Sequence, residues 1–203
     1  MSFSEIAALT IHDVKNRLAQ LAGAAERKGD TETLRTALEA AETLTQLLTF
    51  YKTEIGGMRL DVEAHAPADL VDELVRETKG ISNVAIEQDC SAAPPLAFYD
   101  ETLVRMVLAN ALHNASRYAR SRIRIGVAEQ DGYCVFTVRD DGPGYPDSVL
   151  ADLGASAAVT RGGTGLGLRL AGRIAQQHEN AGLRGAIGLA NDGGGVFTLR
   201  LPG

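Results

Sequence analysis

The sequence lacks several residue types and patterns that define common classes of protein. It contains no tryptophan and only five tyrosines and five phenylalanines in 203 residues, so we expect an aliphatic core. Its two cysteines, Cys90 and Cys134, form neither a metal-binding motif nor a disulfide framework, which favours a reducing compartment. The net charge of −6 argues against a nucleic-acid partner, because nucleic-acid surfaces carry clustered basic residues.

Long apolar runs are also missing. No stretch approaches the ~18 consecutive apolar residues of a membrane-spanning helix, so we expect no membrane insertion in this chain. The first residues lack the basic and apolar regions of a signal peptide, which favours a cytoplasmic protein. The apolar fraction of 45% is sufficient for a folded core in one large domain or two small ones.

The N-terminal part of the chain has the periodicity of two helices joined by a turn at Gly29. One helix is expected from about residue 3 to 28, with a buried stripe of Ile11, Val14, Leu18, Leu21 and Ala25. The second runs to about residue 55, with a stripe of Leu34, Leu38, Ala41, Leu44 or Thr45, Leu48, Tyr51 and Ile55. One hairpin buries both stripes poorly, so we favour a homodimeric four-helix bundle over packing on the same chain.

His12 lies beside the first stripe and carries a chemically useful neighbour. Asp13 follows it directly, and Asn16 lies one helical turn further on. A carboxylate can take the proton from one imidazole nitrogen while the other nitrogen attacks an electrophile. Considered alone, this stretch is more simply interpreted as an ordinary surface histidine on a charged helix.

Alternating strands and helices follow a possible hinge at Gly56 and Gly57. We therefore predict two domains, a helical hairpin over residues 1–56 and an α+β domain over residues 57–203. The expected helices span residues 67–79, 101–120 and 165–178, with Asp100 as the N-cap of the second. The expected strands span residues 58–62, 84–87, 96–99, 123–127, 133–138, 184–190 and 196–201.

Three polar stretches of the second domain could carry chemistry. Asn110, Asn114 and either Arg117 or Tyr118 share one helix face, and amide oxygens suit Mg²⁺, although they could equally satisfy a nearby loop. Residues 140–144 read Asp-Asp-Gly-Pro-Gly, which in isolation predicts a tight acidic turn. Residues 161–169 are glycine-rich and open a helix, where backbone N–H groups can approach an anion.

The order and spacing of these stretches resemble the sensor histidine kinases, whose ATP-binding fold is shared with Hsp90, gyrase and MutL. Residues 110–118 look like the N-box of that family, 140–144 like its G1 box and 163–168 like its G2 box. Residues 194–202 are similar to its closing strand, and residues 12–18 to its H-box. The resemblance implies an α+β fold, in which a helical hairpin, dimerising into a four-helix bundle, precedes an α/β-sandwich ATP-binding domain.

The resemblance also implies roles for individual residues. His12 would be the phosphoacceptor, Asp13 the base that orients or deprotonates it, and Asn16 the residue that positions water for dephosphorylation of the partner. Asp140 would accept the adenine amino hydrogen, and Tyr118 would flank the adenine. The implied ATP-binding residues are Asn110, Asn114, Arg117, Tyr118, Asp140, Gly142, Gly144, Gly163, Thr164, Gly165, Leu166, Gly167 and Leu168, and the implied Mg²⁺ ligands are Asn110 and Asn114.

The resemblance implies a cytoplasmic, homodimeric kinase that autophosphorylates on His12 from ATP with Mg²⁺. It would transfer the phosphoryl group to an aspartate of a response-regulator receiver domain, with phosphatase activity as well. No sensor region precedes the hairpin in this sequence, so we expect the signal from a separate sensor protein or from preceding chain. His65, His113 and His178 match no family role and are expected at the surface or in packing.

The sequence departs from the family pattern at two places that keep other functions open. Arg17 stands where the family usually has proline, and the expected lid over residues 145–162 lacks the usual phenylalanine-rich box. One alternative is a histidine phosphotransferase that relays phosphate through His12 without ATP. Another is an adaptor with a degenerate ATP-binding domain. A serine kinase of the anti-sigma type is disfavoured, because those proteins lack the hairpin.

Overall fold

The computed structural model describes residues 3–54, 59–79, 84–151 and 165–203. The chain divides into two compact units, Met1–Met58 and Arg59–Gly203. The first unit consists of two long helices, α1 (Phe3–Lys28) and α2 (Thr31–Glu54). In the part of the chain that the structure describes, no helix is long and apolar enough to cross a membrane.

A tight turn joins the two helices at the predicted place. Gly29 has a positive φ of 68°, a conformation that glycine adopts without strain. Asp30 then caps α2, because its Oδ1 accepts a hydrogen bond from the Thr33 N–H over 3.0 Å and its Oδ2 accepts one from the Thr33 hydroxyl over 2.7 Å. The hairpin prediction is therefore confirmed.

The seam between α1 and α2 is lined by small residues. Ala22, Ala25 and Ala37 are buried in the hairpin, which lets the two helices approach closely. Three residues of the predicted buried stripes are exposed in the hairpin instead: Val14 to 39%, Leu21 to 47% and Leu38 to 52%. The stripe prediction was wrong there because apolar residues occupy more than one face of each helix. The hairpin therefore leaves four large apolar side chains exposed, namely Val14, Leu21, Leu38 and Leu47.

The second unit is built on a five-stranded sheet in the order β2-β4-β5-β9-β8. Its strands are β2 (Ala85–Ala92), β4 (Arg122–Gln130), β5 (Tyr133–Asp140), β8 (Ala186–Asn191) and β9 (Gly195–Pro202). The β2–β4 pair is parallel, and the other neighbours are antiparallel. Two short antiparallel sheets pair β1 (Glu63–His65) with β3 (Ala97–Tyr99) and β6 (Glu179–Asn180) with β7 (Leu183–Arg184).

Helices pack on one face of the large sheet. These are α3 (Pro67–Lys79), α4 (Glu101–Tyr118) and α6 (Leu166–Gln177), and a short α5 (Asp147–Ala151) follows β5. Alternation along the strands sends one set of side chains to the helices, including the buried Ile123, Ile125, Phe136, Leu199 and Leu201. The core is aliphatic apart from Tyr99 and two phenylalanines, and the α+β prediction, with an α/β-sandwich domain after a helical hairpin, is confirmed.

The predicted helix over residues 67–79 has the observed bounds. The predicted strand over residues 58–62 was wrong for its described part, because the first strand spans Glu63–His65. Asp61 lies two residues before this strand and donates its N–H to Asp100 Oδ2 over 3.0 Å. This bond ties the segment to the N-cap of α4 instead of to a neighbouring strand. The turn between β4 and β5 uses positive φ at Asp131 and Gly132, as an Asp-Gly hairpin requires.

Candidate nucleotide-binding site

Asp140 is the last residue of β5, and two backbone groups hold its carboxylate. The Gly142 N–H donates to Asp140 Oδ1 over 2.7 Å, and the Gly195 N–H donates to the same oxygen over 3.3 Å. Oδ1 is thereby occupied by donors from two different segments. Oδ2 is the oxygen that can accept a further hydrogen bond, and charged acceptors form the stronger bonds of this kind.

Asp141 points in another direction and secures the loop that follows α4. Its Oδ1 accepts hydrogen bonds from the Arg120 N–H over 2.8 Å and the Ser121 N–H over 3.0 Å. Its Oδ2 accepts one from the Ser121 hydroxyl over 2.6 Å. These bonds hold the pKa of Asp141 well below its usual range, the Ser121 hydroxyl making the largest contribution.

The glycines of this turn let it pack against the end of α4. A Cβ placed on Gly142 would lie 2.4 Å from the Tyr118 carbonyl oxygen and 2.7 Å from Asp140 Oδ1. Only glycine permits this approach without a shift of the backbone. The contact brings Tyr118, which remains 42% exposed, next to Asp140. The structure therefore joins the predicted N-box and G1 residues in one place.

The first turn of α6 lies against the middle of α4. A Cβ placed on Gly167 would come within 2.4 Å of Asn110 Nδ2, so the carboxamide of Asn110 occupies the space beside this turn. Gly165, the N-cap of α6, has φ of 67° and provides no capping side chain. Backbone N–H groups in the first turn of a helix have no partner within the helix and attract anions. Leu166 and Leu168 are half-buried in this turn.

The remaining predicted residues on α4 are accessible to different degrees. Asn114 is half-buried one turn beyond Asn110, and Arg117 is exposed with its guanidinium carbon 5.7 Å from the centre of the Tyr118 ring. No group of three His, Cys, Asp or Glu residues that could hold a metal occurs in the described segments.

Several predicted residues fall outside what the structure describes. Gly163, Thr164 and most of the predicted lid lie outside the described residues, as does the predicted hinge at Gly56 and Gly57. His12 lies within α1, but its side chain is outside the described set. Asp13 and Asn16 are exposed on the same helix. The structure thus brings Gly142 against Tyr118 at the end of α4 and Gly167 against Asn110 in the same helix. It leaves the phosphoacceptor untested.

Two site residues were missed by the sequence reasoning, Tyr145 and Asn191. The Tyr145 N–H donates to Asn191 Oδ1 over 2.7 Å, and Asn191 Nδ2 donates back to the Tyr145 carbonyl oxygen over 2.9 Å. Tyr145 is half-buried near Asp140, and the partial burial of its phenol is the main reason why its pKa rises to about 12. The only sequence signal was an asparagine opening the turn over residues 191–195, which also predicts an ordinary turn.

His178 and His65 have no family role and lie in packed positions, as predicted. His178 is 3% exposed at the end of α6, and burial lowers its pKa. Its Nε2 accepts a hydrogen bond from the Asp100 N–H over 3.1 Å, and its Nδ1 donates to the Ile174 carbonyl oxygen over 2.8 Å. His65 is half-buried, with its Nδ1 2.9 Å from Glu101 Oε2.

Comparison with known families decides the relationship of the chain. Residues 99–203 match the family described as histidine kinase-, DNA gyrase B- and HSP90-like ATPase. The chain belongs to this ATPase family. The match begins at the last residue of β3 and contains Asn110, Asp140 and the first turn of α6. The family prediction made from the motifs is therefore confirmed, and the ATPase domain is an ATP-binding domain.

Curated relatives are sensor kinases that are longer than this chain. The signal transduction histidine-protein kinase AfsQ2 of Streptomyces coelicolor is 40% identical over 112 residues, which cover 51% of this chain and 20% of AfsQ2. The sensor protein PhoQ of Escherichia coli K12 is 29% identical over 186 residues, which cover 83% of this chain and 37% of PhoQ. The chain thus spans well under half the length of these relatives.

Solved structures of histidine kinases share the fold. Full-length ShkA, solved with AMPPNP, superposes with a TM-score of 0.76 over 99% of this chain and 46% of ShkA, at 21% identity. The Acinetobacter baumannii histidine kinase AdeS gives a TM-score of 0.62 over 96% of both chains, at 20% identity. At these identities the similarity establishes the architecture, in which a helical hairpin precedes the ATPase domain.

Proposed function

We propose that the chain is the catalytic core of a two-component histidine kinase, which phosphorylates itself on His12 from ATP. The arrangement of Asp140 supports this proposal most strongly. Two backbone N–H groups fix Oδ1, which leaves Oδ2 as a charged acceptor for a further hydrogen bond. Such an acceptor suits the amino group of adenine, and a relay protein without ATP would have no need of it.

The remaining residues around Asp140 would hold the rest of the nucleotide. Gly142 and Gly144 shape the adenine pocket, and Tyr118 flanks the ring. The phosphates would be bound by the cationic Arg117 and by backbone groups at the start of α6, where the helix dipole favours anions. The proposed contributors from that segment are Gly163, Thr164, Gly165, Leu166, Gly167 and Leu168.

Mg²⁺ is the cofactor that the proposed reaction requires, and two amides of α4 fit it. Asn110 lies directly against Gly167 at the N-terminal turn of α6, and Asn114 lies one turn along the same helix. Carboxamide oxygens are hard ligands, and Mg²⁺ is usually held by few protein groups together with phosphates and water. When bound, the ion would neutralise phosphate charge, while the protein positions the nucleotide.

On α1, we assign the phosphoryl-accepting role to His12. One imidazole nitrogen attacks the γ-phosphorus, a nitrogen–phosphorus bond forms, the bond to the β,γ-bridging oxygen breaks, and ADP leaves. Asp13 orients the ring and accepts the proton from its other nitrogen. Asn16 lies one turn further along the exposed side of α1, where it would position water for the phosphatase reaction on a phosphorylated partner.

The proposed assembly is a cytoplasmic homodimer. Val14, Leu21, Leu38 and Leu47 are exposed apolar side chains of the hairpin. A second hairpin that covers part of this apolar surface would form a four-helix bundle. In the proposed division of labour, residues 1–56 form the dimerisation and phosphoacceptor domain, and residues 57–203 form the catalytic domain. The proposed partners are the receiver domain of a response regulator and a sensor, in the same protein or a separate one.

Incubation of the purified chain with [γ-³²P]ATP and Mg²⁺ tests this function. We expect acid-labile label on the wild type and none on His12→Gln or Asp140→Asn. His12→Gln should still bind ATP, which separates loss of the acceptor from loss of the nucleotide site. Absence of label together with absence of ATP binding would refute the kinase, and transfer to His12 from a phosphorylated receiver domain would then establish a relay protein.

A further inference from the structure

The turn between β8 and β9, residues 191–195, packs against the segment that carries Asp140. A Cβ placed on Gly194 would lie 1.9 Å from the Asp140 carbonyl oxygen, so the two backbones are in direct contact. Gly195 donates its N–H to Asp140 Oδ1. The nearby ion pair between the Arg139 guanidinium and Asp192, 2.8 Å long, is exposed on both sides and contributes little to holding the turn. The orientation of the Asp140 carboxylate thus depends on where this turn lies.

Asn191 is the residue that fastens the turn to the far side of the same segment. Its carboxamide accepts from the Tyr145 N–H and donates to the Tyr145 carbonyl oxygen, at 2.7 and 2.9 Å. The Asn191 side chain therefore satisfies both the backbone N–H and the backbone carbonyl of Tyr145, as a neighbouring β-strand would. The two residues are 46 positions apart, so the contact is entirely tertiary.

Gly144 shows how closely the carboxamide fits. A Cβ on Gly144 would lie 2.5 Å from Asn191 Oδ1, so there is no space for a side chain. Gly144 also has φ of 79°, a backbone conformation that favours glycine. Asp140 and Tyr145 thus mark the two ends of a short segment, and the turn over residues 191–195 binds both ends. The segment cannot move without breaking contacts to that turn.

We infer that Asn191 is a positioning residue of the nucleotide site, which holds residues 140–145 in the geometry that binds adenine. The inference rests on the proposed function, because it assigns Asn191 an effect on ATP affinity. Asn191 itself touches backbone and no reacting group. Its loss should weaken ATP binding because part of the binding energy must then order the segment. The turnover of bound ATP should change little, because the groups proposed for chemistry stay in place.

Three variants of the full chain separate this role from general destabilisation. Asn191→Ala removes both hydrogen bonds, and Asn191→Asp keeps the acceptor for the Tyr145 N–H but loses the donor. Asp192→Asn weakens the adjacent ion pair and leaves Asn191 intact, so it is the matched control. The measurements are the Kd for ATP by calorimetry, KM and kcat for autophosphorylation, and the hydrogen exchange rate of the Tyr145 amide without nucleotide.

We expect Asn191→Ala to raise the Kd and KM for ATP about tenfold, which corresponds to about 1.4 kcal/mol, with kcat within about twofold of wild type. For ATP affinity, Asn191→Asp should be intermediate and Asp192→Asn should match wild type. The Tyr145 amide should exchange faster in Asn191→Ala, which lacks its acceptor, than in wild type or Asp192→Asn. Faster exchange with unchanged ATP affinity would overturn the positioning role, as would unchanged exchange. If the wild type itself fails to bind ATP, the proposed function fails, and the inference fails with it.

Discussion

His178 links the ends of the two helices that carry the proposed phosphate and metal site. Because the Ile174 carbonyl can only accept, Nδ1 must carry the ring proton, and because the Asp100 N–H can only donate, Nε2 must be unprotonated. The buried ring is therefore held in its neutral form, and burial lowers its pKa despite the nearby Asp100 carboxylate. Protonation would place a hydrogen on Nε2 directly against the Asp100 N–H.

The sign of the pH effect follows from this shift. A histidine whose folded pKa lies below the unfolded value binds fewer protons when folded, so its contribution to stability is complete above about pH 6.5 and is lost as the pH falls through the folded pKa. His178→Phe keeps a ring of similar shape but leaves the Asp100 N–H without an acceptor. We expect that change to cost about 1–3 kcal/mol, a decrease of roughly 5 °C in melting temperature at neutral pH.

Thermal unfolding of the full chain between pH 5 and 8 measures both effects. His178→Gln is the matched control, because its amide oxygen can accept from the Asp100 N–H and does not titrate. Below about pH 6.5 the wild type should lose stability faster than His178→Gln, and above it the two should run parallel. Identical pH profiles for the two proteins, or a His178→Phe variant as stable as wild type at pH 8, would refute the reasoning.

Three further predictions concern single positions of the second unit. Gly142→Ala should abolish detectable ATP binding in calorimetry, because its Cβ would lie 2.4 Å from the Tyr118 carbonyl oxygen; binding at wild-type affinity would contradict the packing. Gly172→Ala, with its nearest contact at 3.8 Å inside α6, should instead stabilise the chain by about 0.5–1 kcal/mol in denaturant unfolding, and a loss of stability would argue against the helix packing. Asp141→Asn should flatten the dependence of the free energy of unfolding on pH below about pH 4. The pKa of Asp141 is lowered in the folded chain, so the stability that its charge contributes is lost as the pH falls below about 4. An unchanged acid profile would exclude this role of its charge.

The sequence was most informative where local patterns determine structure. Helix α3 has the predicted bounds because it begins at Pro67 and carries a single apolar stripe, which leaves one way to bury it. The glycine-rich motifs identified the family because the close approaches at Gly142 and Gly167 admit no other residue without a shift. The bounds of α3 follow from residues that are near one another in the sequence. The glycines contact distant residues, but the missing side chain is itself visible in the sequence.

The sequence was least informative where distant residues decide the outcome. Burial within the hairpin was mispredicted at Val14, Leu21 and Leu38, because several faces of these helices are apolar and only the partner helix selects the buried one. The first strand was placed too early because Asp61 bonds to the α4 N-cap. Asn191 went unnoticed because its partner Tyr145 lies 46 residues away, and nothing local distinguishes it from a turn asparagine.

An NMR titration of the ¹⁵N-labelled chain with ATP and, separately, GTP tests the central claim most directly. Asp140 is proposed to recognise adenine through an amino hydrogen, and guanine presents a carbonyl oxygen at that position, which a carboxylate would repel. We predict that ATP shifts the amide resonances of Gly142 and Gly195, both donors to Asp140, and that GTP leaves them in place. Equal responses to the two nucleotides, or no response to ATP, would contradict the account.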